Sequence, residues 1–267
     1  MWKKYVMTVV VFLITLITYS QNNPPSQYDN KKGKKEAKRE RINILSRQQE
    51  EGELIFNKQS VFGIKLATDG YGFSYEAGRY KSNRKSLLYQ FEFSEKKHRK
   101  EKKQAASFNQ FQVNSVIYGK QNNFYQFKAG LAIQQVIGGK GNKNGVAVSA
   151  IYGAGLIAGL IKPYYVDVED NFNQRIRKTY PEIIDSGYIE LGAAGFTVGW
   201  DELKVRPGVY GKAAMRFDYG RFNEMVTAIE AGLTAEFYSS KVPQIVFNKE
   251  RQFFFSAYLT LLLGRRK

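Results

Sequence analysis

Cysteine is missing from the 267-residue chain. Its absence excludes disulfides, thiolate metal sites, a cysteine nucleophile and a lipid-bearing N-terminal cysteine. Histidine is nearly missing, His98 being the only one. One imidazole and scattered carboxylates make a poor ligand set, so neither a metal nor a cofactor is expected. Ser94, Glu95 and His98 supply the residue types of a hydrolytic triad. A triad, however, is defined by spatial orientation, and Lys97, Arg99 and Lys100 mark this segment as a hydrated loop. No catalytic residue is predicted, and a lipid-modifying barrel hydrolase is the weakest alternative. Gly138, Gly139 and Gly141 imitate a phosphate loop, yet no Lys-Ser/Thr follows them, and a hairpin turn accounts for them. Long apolar runs are scarce too. The best candidate beyond the N-terminus, residues 146–161, is interrupted by Gly153, Gly155 and Gly159 and lacks the ~18 unbroken apolar residues of a helical span.

What is present begins with a charged and then apolar leader. Lys3 and Lys4 precede an apolar core from Val6 to Ile17, with Thr18 and Ser20 before Gln21. This reads as a signal peptide over residues 1–20, since the core is shorter than the ~20 residues a membrane anchor needs. Residues 21–52 are a basic, polar tether from which little apolar surface could be buried. The formal charge of +17 raises nucleic acid as a partner. Its concentration in the tether and in Lys96-Lys97-His98-Arg99-Lys100, outside the patterned segments, argues against that partner.

From residue 53 to 267 the chain alternates with a period of two, the mark of strands with two unlike faces. Phe62, Ile64 and Leu66 oppose Gly63, Lys65 and Ala67, and Thr68-Asp69-Gly70 supplies a hairpin turn. Phe111, Val113 and Ile117 against Gln112 and Asn114 predict a further strand. The clearest segments are the last three. Val209, Ala213, Met215 and Phe217 oppose Arg206, Lys212, Arg216 and Asp218; Ile229, Leu233 and Phe237 oppose Glu230 and Glu236; Phe253, Phe255, Leu259, Leu261 and Leu263 oppose Ser256, Tyr258 and Thr260. A Gly-rich strand is expected from 146 to about 168, and 169–202 is a long loop without a clean period.

Each segment has one greasy face and one bearing full charges. A water-soluble, lipocalin-like barrel would give the same alternation with the greasy side inward. Lipid outside and ions inside fits the leader, the missing cysteine and the unbroken aliphatic rows. Tyr71, Tyr75, Tyr125, Phe127, Tyr219, Phe237 and Phe253, near strand ends on the apolar parity, suit interfacial girdles. The fold expected is an all-β, transmembrane, antiparallel up-and-down barrel of about 10 strands, within 8–12. Its interior would hold Lys65, Lys128, Arg206, Lys212 and Arg216 against Glu76, Glu92, Asp218, Glu230 and Glu236, five of each sign. Mixed charge of this kind suits a small, packed lumen. Nine clear strands place 169–202 outside the cell and the basic 95–104 loop on the opposite, periplasmic side.

Asp69-Gly70-Tyr71-Gly72, Glu95-Lys96-Lys97-His98, Lys162-Pro163-Tyr164-Tyr165 and the run from Val242 through Lys249 to Gly264-Arg265-Arg266-Lys267 resemble an uncharacterised outer-membrane β-barrel family of Bacteroidota. The final Gly-Arg-Arg-Lys departs from the aromatic ending of many such barrels. The resemblance implies an outer-membrane address and no catalytic residues. It suggests a structural or partner-binding role in secretion or envelope assembly, with a narrow pore or transporter for small solutes as the alternative. The partners expected are outer-membrane lipid and lipopolysaccharide, and an envelope protein reached through residues 21–52 or 169–202.

Overall fold

The computed structural model describes residues 57–82, 84–105, 115–140, 145–184, 186–220 and 225–267. The expected signal peptide, the tether, residues 53–56 and the Phe111–Asn114 part of the expected strand lie outside them. Eight strands close into an antiparallel barrel. They are β1 (Lys58–Ala67), β2 (Gly70–Ser82), β3 (Lys85–Lys96), β6 (Asn122–Gly138), β7 (Ala147–Pro163), β11 (Lys204–Asp218), β12 (Met225–Val242) and β13 (Arg251–Arg266). Each pairs with the next barrel strand in sequence, and β1 closes on β13 with Phe62 opposite Leu263 and Leu66 opposite Leu259. Closure leaves no strand of the barrel with an open edge, so the backbone of the wall pairs within the wall.

Five short strands stand outside the barrel. β4 (Lys103–Ala105) pairs with β5 (Ser115–Ile117), and β8 (Tyr165–Glu169) lies between β9 (Arg175–Thr179) and β10 (Ile189–Ala193). A single helical turn, α1 (Tyr180–Ile183), follows β9. The barrel count of eight is the lower limit of the expected range. One sequence segment explains why nine clear strands become eight: Ile117 belongs to the three-residue β5 rather than to a wall strand. The Gly-rich segment remains one wall strand but stops at Pro163, after which β8 enters a separate sheet.

Chain direction then fixes the two ends. The turns after β2, β6 and β11 lie at the lower end, together with Lys58 and Lys267. The described residues of the segments 97–121, 164–203 and 243–250 all lie at the upper end. With an even count, the basic 95–104 loop therefore shares its end with 169–202, contrary to the expectation from nine strands.

The two faces of the wall are inverted relative to a water-soluble protein. Phe62, Ile64, Leu66, Phe73, Leu156, Phe255, Leu261 and Leu263 point outward, Leu156 with 69% of its surface bare. Lys65, Glu76, Lys128, Arg216, Glu230 and Glu236 point inward and are buried, Arg216 with none exposed. In water this arrangement would forfeit the hydrophobic gain, roughly 25 cal/mol per Å² of apolar area. In hydrocarbon the aliphatic rows face a matching solvent, and the ions are enclosed where they can pair. Strands β6, β7 and β12, of 17, 17 and 18 residues, exceed the ~10 that a tilted strand needs to cross a bilayer.

Candidate functional site

The lumen is built from alternate residues of all eight strands, and its charges form three ion-paired clusters spaced along the axis. Near the middle, Arg216 of β11 reaches Glu76 of β2 at 2.6 Å and Glu230 of β12 at 2.5 Å. Lys212 lies two inward positions above, beyond Ala214, and contacts Glu230 at 3.1 Å. Tyr258 donates its hydroxyl hydrogen to Glu230 (2.7 Å), and Gln90 donates to Glu76 (2.7 Å). Higher up, Glu92 takes Lys65 and Lys128, both at 2.9 Å. Lys128 bridges onward to Glu236 at 2.8 Å, Glu236 takes Lys96 at 2.7 Å, and Lys96 also reaches Asp69 at 2.5 Å. Towards the lower end Asp218 pairs with Arg266 at 2.5 Å and Lys140 at 3.6 Å.

The structure thus pairs Glu76, Lys212, Arg216 and Glu230 in one cluster, Lys65, Glu92, Lys128 and Glu236 in a second, and places Asp218 in a third, all inside the barrel. Arg206 is not joined to them. It sits high on β11, half-buried, opposite Gly159, and its Nε has no hydrogen-bond partner. At that level the lumen is filled by rings rather than carboxylates. Phe124, Tyr238 and Phe254 meet with centroids 5.4–5.8 Å apart, and close the upper end together with Ile157 and Ile161.

Four further charges belong to the network: Asp69, Lys96, Lys140 and Arg266. Two carried a signal in the sequence. Lys96 continues the inward parity of Gln90, Glu92 and Ser94, and Arg266 continues that of Ser256, Tyr258 and Thr260. Asp69 and Lys140 lie in turns, where parity says nothing. Seven cations (Lys65, Lys96, Lys128, Lys140, Lys212, Arg216, Arg266) therefore face six carboxylates (Asp69, Glu76, Glu92, Asp218, Glu230, Glu236).

Glycine decides how the rings fit. Gly155 on β7 lies opposite both Gly130 and Tyr210, and a Cβ there would stand 2.8 Å from the Tyr210 ring and 2.5 Å from the Gly130 backbone. At Gly159 a Cβ would come within 2.8 Å of Tyr238. The interior is accordingly almost filled. Among the described residues, one cavity lies between Glu76, Glu92, Lys212 and Glu230 and another between Asp69, Lys96, Lys128 and Glu236, each of about 10 Å³. That is room for one water molecule at most.

Above the barrel the long upper segments form a second, smaller core. Val166 and Val168 of β8 pack with Val116, Tyr164, Tyr180 and Ile183, and Ile176, Tyr188 and Val246 lean against them. The Tyr164 hydroxyl accepts from the Ile117 amide at 3.2 Å, Lys120 pairs with Glu101 at 2.9 Å, and Lys120 and Ile245 form a bridge. Burial raises the Tyr164 phenol, and burial together with the nearby Glu190 raises that of Tyr180, so both rings stay neutral. Residues 169–202 are therefore a built platform, tied to 97–121 and 243–250, where a loop was expected. Phe172 and Phe247 are exposed on it. At its base Trp200 stacks on Tyr125 at 5.7 Å beside Phe196, with the Lys162 ammonium 5.2 Å from the Trp200 ring. Such rings suit the boundary between hydrocarbon and water.

Ser94, Glu95 and His98 are not brought together for catalysis. Ser94 faces the lumen beside Glu92 (3.5 Å), whereas Glu95, the next residue, accepts from Tyr71 at 2.5 Å on the opposite face. The His98 Nδ1 accepts from the Lys100 amide at 3.2 Å. Among the described residues no cluster of three His, Asp or Glu side chains could hold a metal ion.

A closed eight-stranded barrel, apolar outside and ion-paired inside, is the class these features define. No protein-family model and no curated protein matches the chain. Similar solved structures include Ail, the attachment invasion locus protein of Yersinia pestis, at 11% identity over 80% of this chain and 100% of that one, TM-score 0.37. Neisserial surface protein A is similar at 10% identity over 79% and 97%, TM-score 0.38. The N-terminal β-barrel domain of Pseudomonas aeruginosa OprF is similar at 14% over 78% and 98%, TM-score 0.32. Likeness of this degree leaves the functional assignment to the chain's own side chains.

Proposed function

We propose that the chain is an outer-membrane barrel without catalytic activity, whose closed lumen makes it a rigid mount for the upper platform, and that the platform engages an envelope partner. The observation that carries this reading is the filled interior. Charges that could line a water path are instead spent on one another, with space for about one water in each remaining cavity. A solute pathway needs a wider ring of strands or a movable plug, which weighs against the pore alternative. The exposed aromatics Phe172 and Phe247 and the paired loops supply a firm surface for recognition. A signal peptide over 1–20, a tether over 21–52 that reaches lipopolysaccharide or a periplasmic protein, and kinship with barrels of Bacteroidota belong to the same proposal.

Two measurements test it. The full chain should insert into liposomes and migrate as a compact, heat-modifiable species, and planar bilayers carrying it should stay silent. Steady ion conductance would replace this reading with the pore, and a compact, detergent-free monomer in water would end the membrane assignment. In cells, cross-linking from the platform should capture a discrete envelope protein, and Phe172→Ser with Phe247→Ser should abolish that product. A chain that remains partnerless in mild detergent removes the partner-binding role.

A further inference from the structure

The outer wall at the lower end carries a set of exposed cations, among them Lys58, Arg79, Arg265 and Lys267. Lys58 lies opposite Arg79 across β1 and β2. The Lys58 amide donates to the Lys267 carbonyl (2.8 Å), and the Lys267 amide donates back to Lys58 (2.8 Å). Lys267, Lys58 and Arg79 therefore form one row across β13, β1 and β2, at the ~4.8 Å spacing of neighbouring strands. Arg265 joins from two residues higher, opposite Ser60. All four are exposed, and none has an ion pair among the described residues. Like charges directly opposite one another on a sheet repel. Among the described residues no acidic side chain pairs with this row, and an anion seated on it would relieve the repulsion.

The surroundings say which kind of anion. The four cations ring a groove of about 470 Å³ whose floor is Ala77, Gly78 and Tyr89. Immediately above it Ser60 donates to the Tyr75 hydroxyl (3.1 Å), and Tyr75 packs on Phe62 at 4.9 Å, where the apolar band begins. The groove thus lies at the hydrocarbon boundary, cationic below and apolar above. We propose that it binds the headgroup of an anionic phospholipid in the leaflet nearer Lys58 and Lys267. Arg79 and Arg265 can grip phosphate oxygens in pairs, while Lys58 and Lys267 act as point charges. The acyl chains run up the wall past Tyr89 and Phe62. A free phosphate would use the cations and waste the floor. The proposal rests on the membrane reading above and adds a leaflet and a lipid class to it.

The test uses the full chain in detergent micelles, with phosphatidylglycerol or phosphatidylethanolamine added and retained lipid counted by native mass spectrometry. The expected result is a preference for phosphatidylglycerol of about tenfold or more that falls with added salt, as screened contacts do. Replacing Lys58, Arg79, Arg265 and Lys267 together by Gln removes the preference, whereas Lys97→Gln with Lys100→Gln at the upper end keeps it. Liposome insertion of the same variant, read by heat-modifiable migration, shows that the barrel still forms. Equal retention of both lipids by a wild-type chain that inserts normally overturns the headgroup site and leaves the membrane reading standing. Displacement of the lipid by equimolar inorganic phosphate overturns the lipid assignment. A wild-type chain that fails to insert at all brings down the membrane reading itself.

Discussion

Arg216 and Arg265 lie on β11 and β13, separated in the wall by a single strand, and they meet opposite conditions. Arg216 is wholly enclosed between Glu76 and Glu230. Arg265 stands outward on the rim in a cationic groove, with no carboxylate beside it among the described residues. Inside, each ion has surrendered its water, and the network must return that cost through pairing and hydrogen bonds. Outside, water and lipid headgroups are within reach, and the charge is held in readiness. The same residue type is structural in one place and available for binding in the other. What separates the roles is the partner, not the charge.

The largest effect expected is on the enclosed side. Arg216→Met leaves Glu76 and Glu230 facing each other with only Lys212 near, and should cost roughly 3–5 kcal/mol, the usual loss when one member of a buried pair is removed. Urea unfolding in lipid vesicles reads it, and a change below about 1 kcal/mol would show that the network is dispensable. Replacing Arg216, Lys212, Glu76 and Glu230 together by Met and Leu should recover much of that loss, since no charge of the cluster is then stranded.

A second, smaller effect probes the packing that encloses those ions. Gly155→Val forces a branched side chain against the Tyr210 ring and the Gly130 backbone. Overpacking of this kind should cost about 1–3 kcal/mol, or displace Tyr210 and open the lumen, which bilayer conductance would register. At the rim, by contrast, Arg265→Gln alone should change stability by no more than about 0.5 kcal/mol, as for other surface positions free of structural partners. A large loss there would erase the distinction between the two arginines.

The smallest effect concerns the upper loop. Burial, reinforced by the Arg251 charge, holds the His98 imidazolium below its ordinary value of about 6.5. The folded chain binds this proton less readily than the unfolded one. His98 therefore contributes stability above about pH 6.5, and that contribution fades as the pH falls below it. Titration of the lone imidazole by NMR should give a midpoint under 6.5, and Arg251→Gln should raise it.

Most of the wall was legible in the sequence because a strand assigns faces by counting. Lys65, Glu76, Glu92, Lys128, Lys212, Arg216, Asp218, Glu230 and Glu236 all stand on the parity opposite the aliphatic rows, and all are found within the lumen. Arg206 shares that parity and yet lies outside the network, because parity fixes direction but not depth. At its level Phe124, Tyr238 and Phe254 occupy the interior. Asp69 and Lys140 were hidden for the converse reason: they sit in turns, where alternation lapses, and are drawn in by Lys96 and Asp218.

By itself the sequence determined that strands of two unlike faces would form, which residues share a face, and that mixed charge had to be reconciled on one of them. These follow from a period of two and from the chemistry of each side chain. The tertiary structure alone decided that eight strands close the wall, that all three long segments gather at one end, which ion meets which, and that four cations converge on one groove. Those outcomes depend on strand order, register and closure, which bring together residues as far apart in the chain as Lys58 and Lys267 or Glu76 and Arg216, and no local pattern encodes such distances.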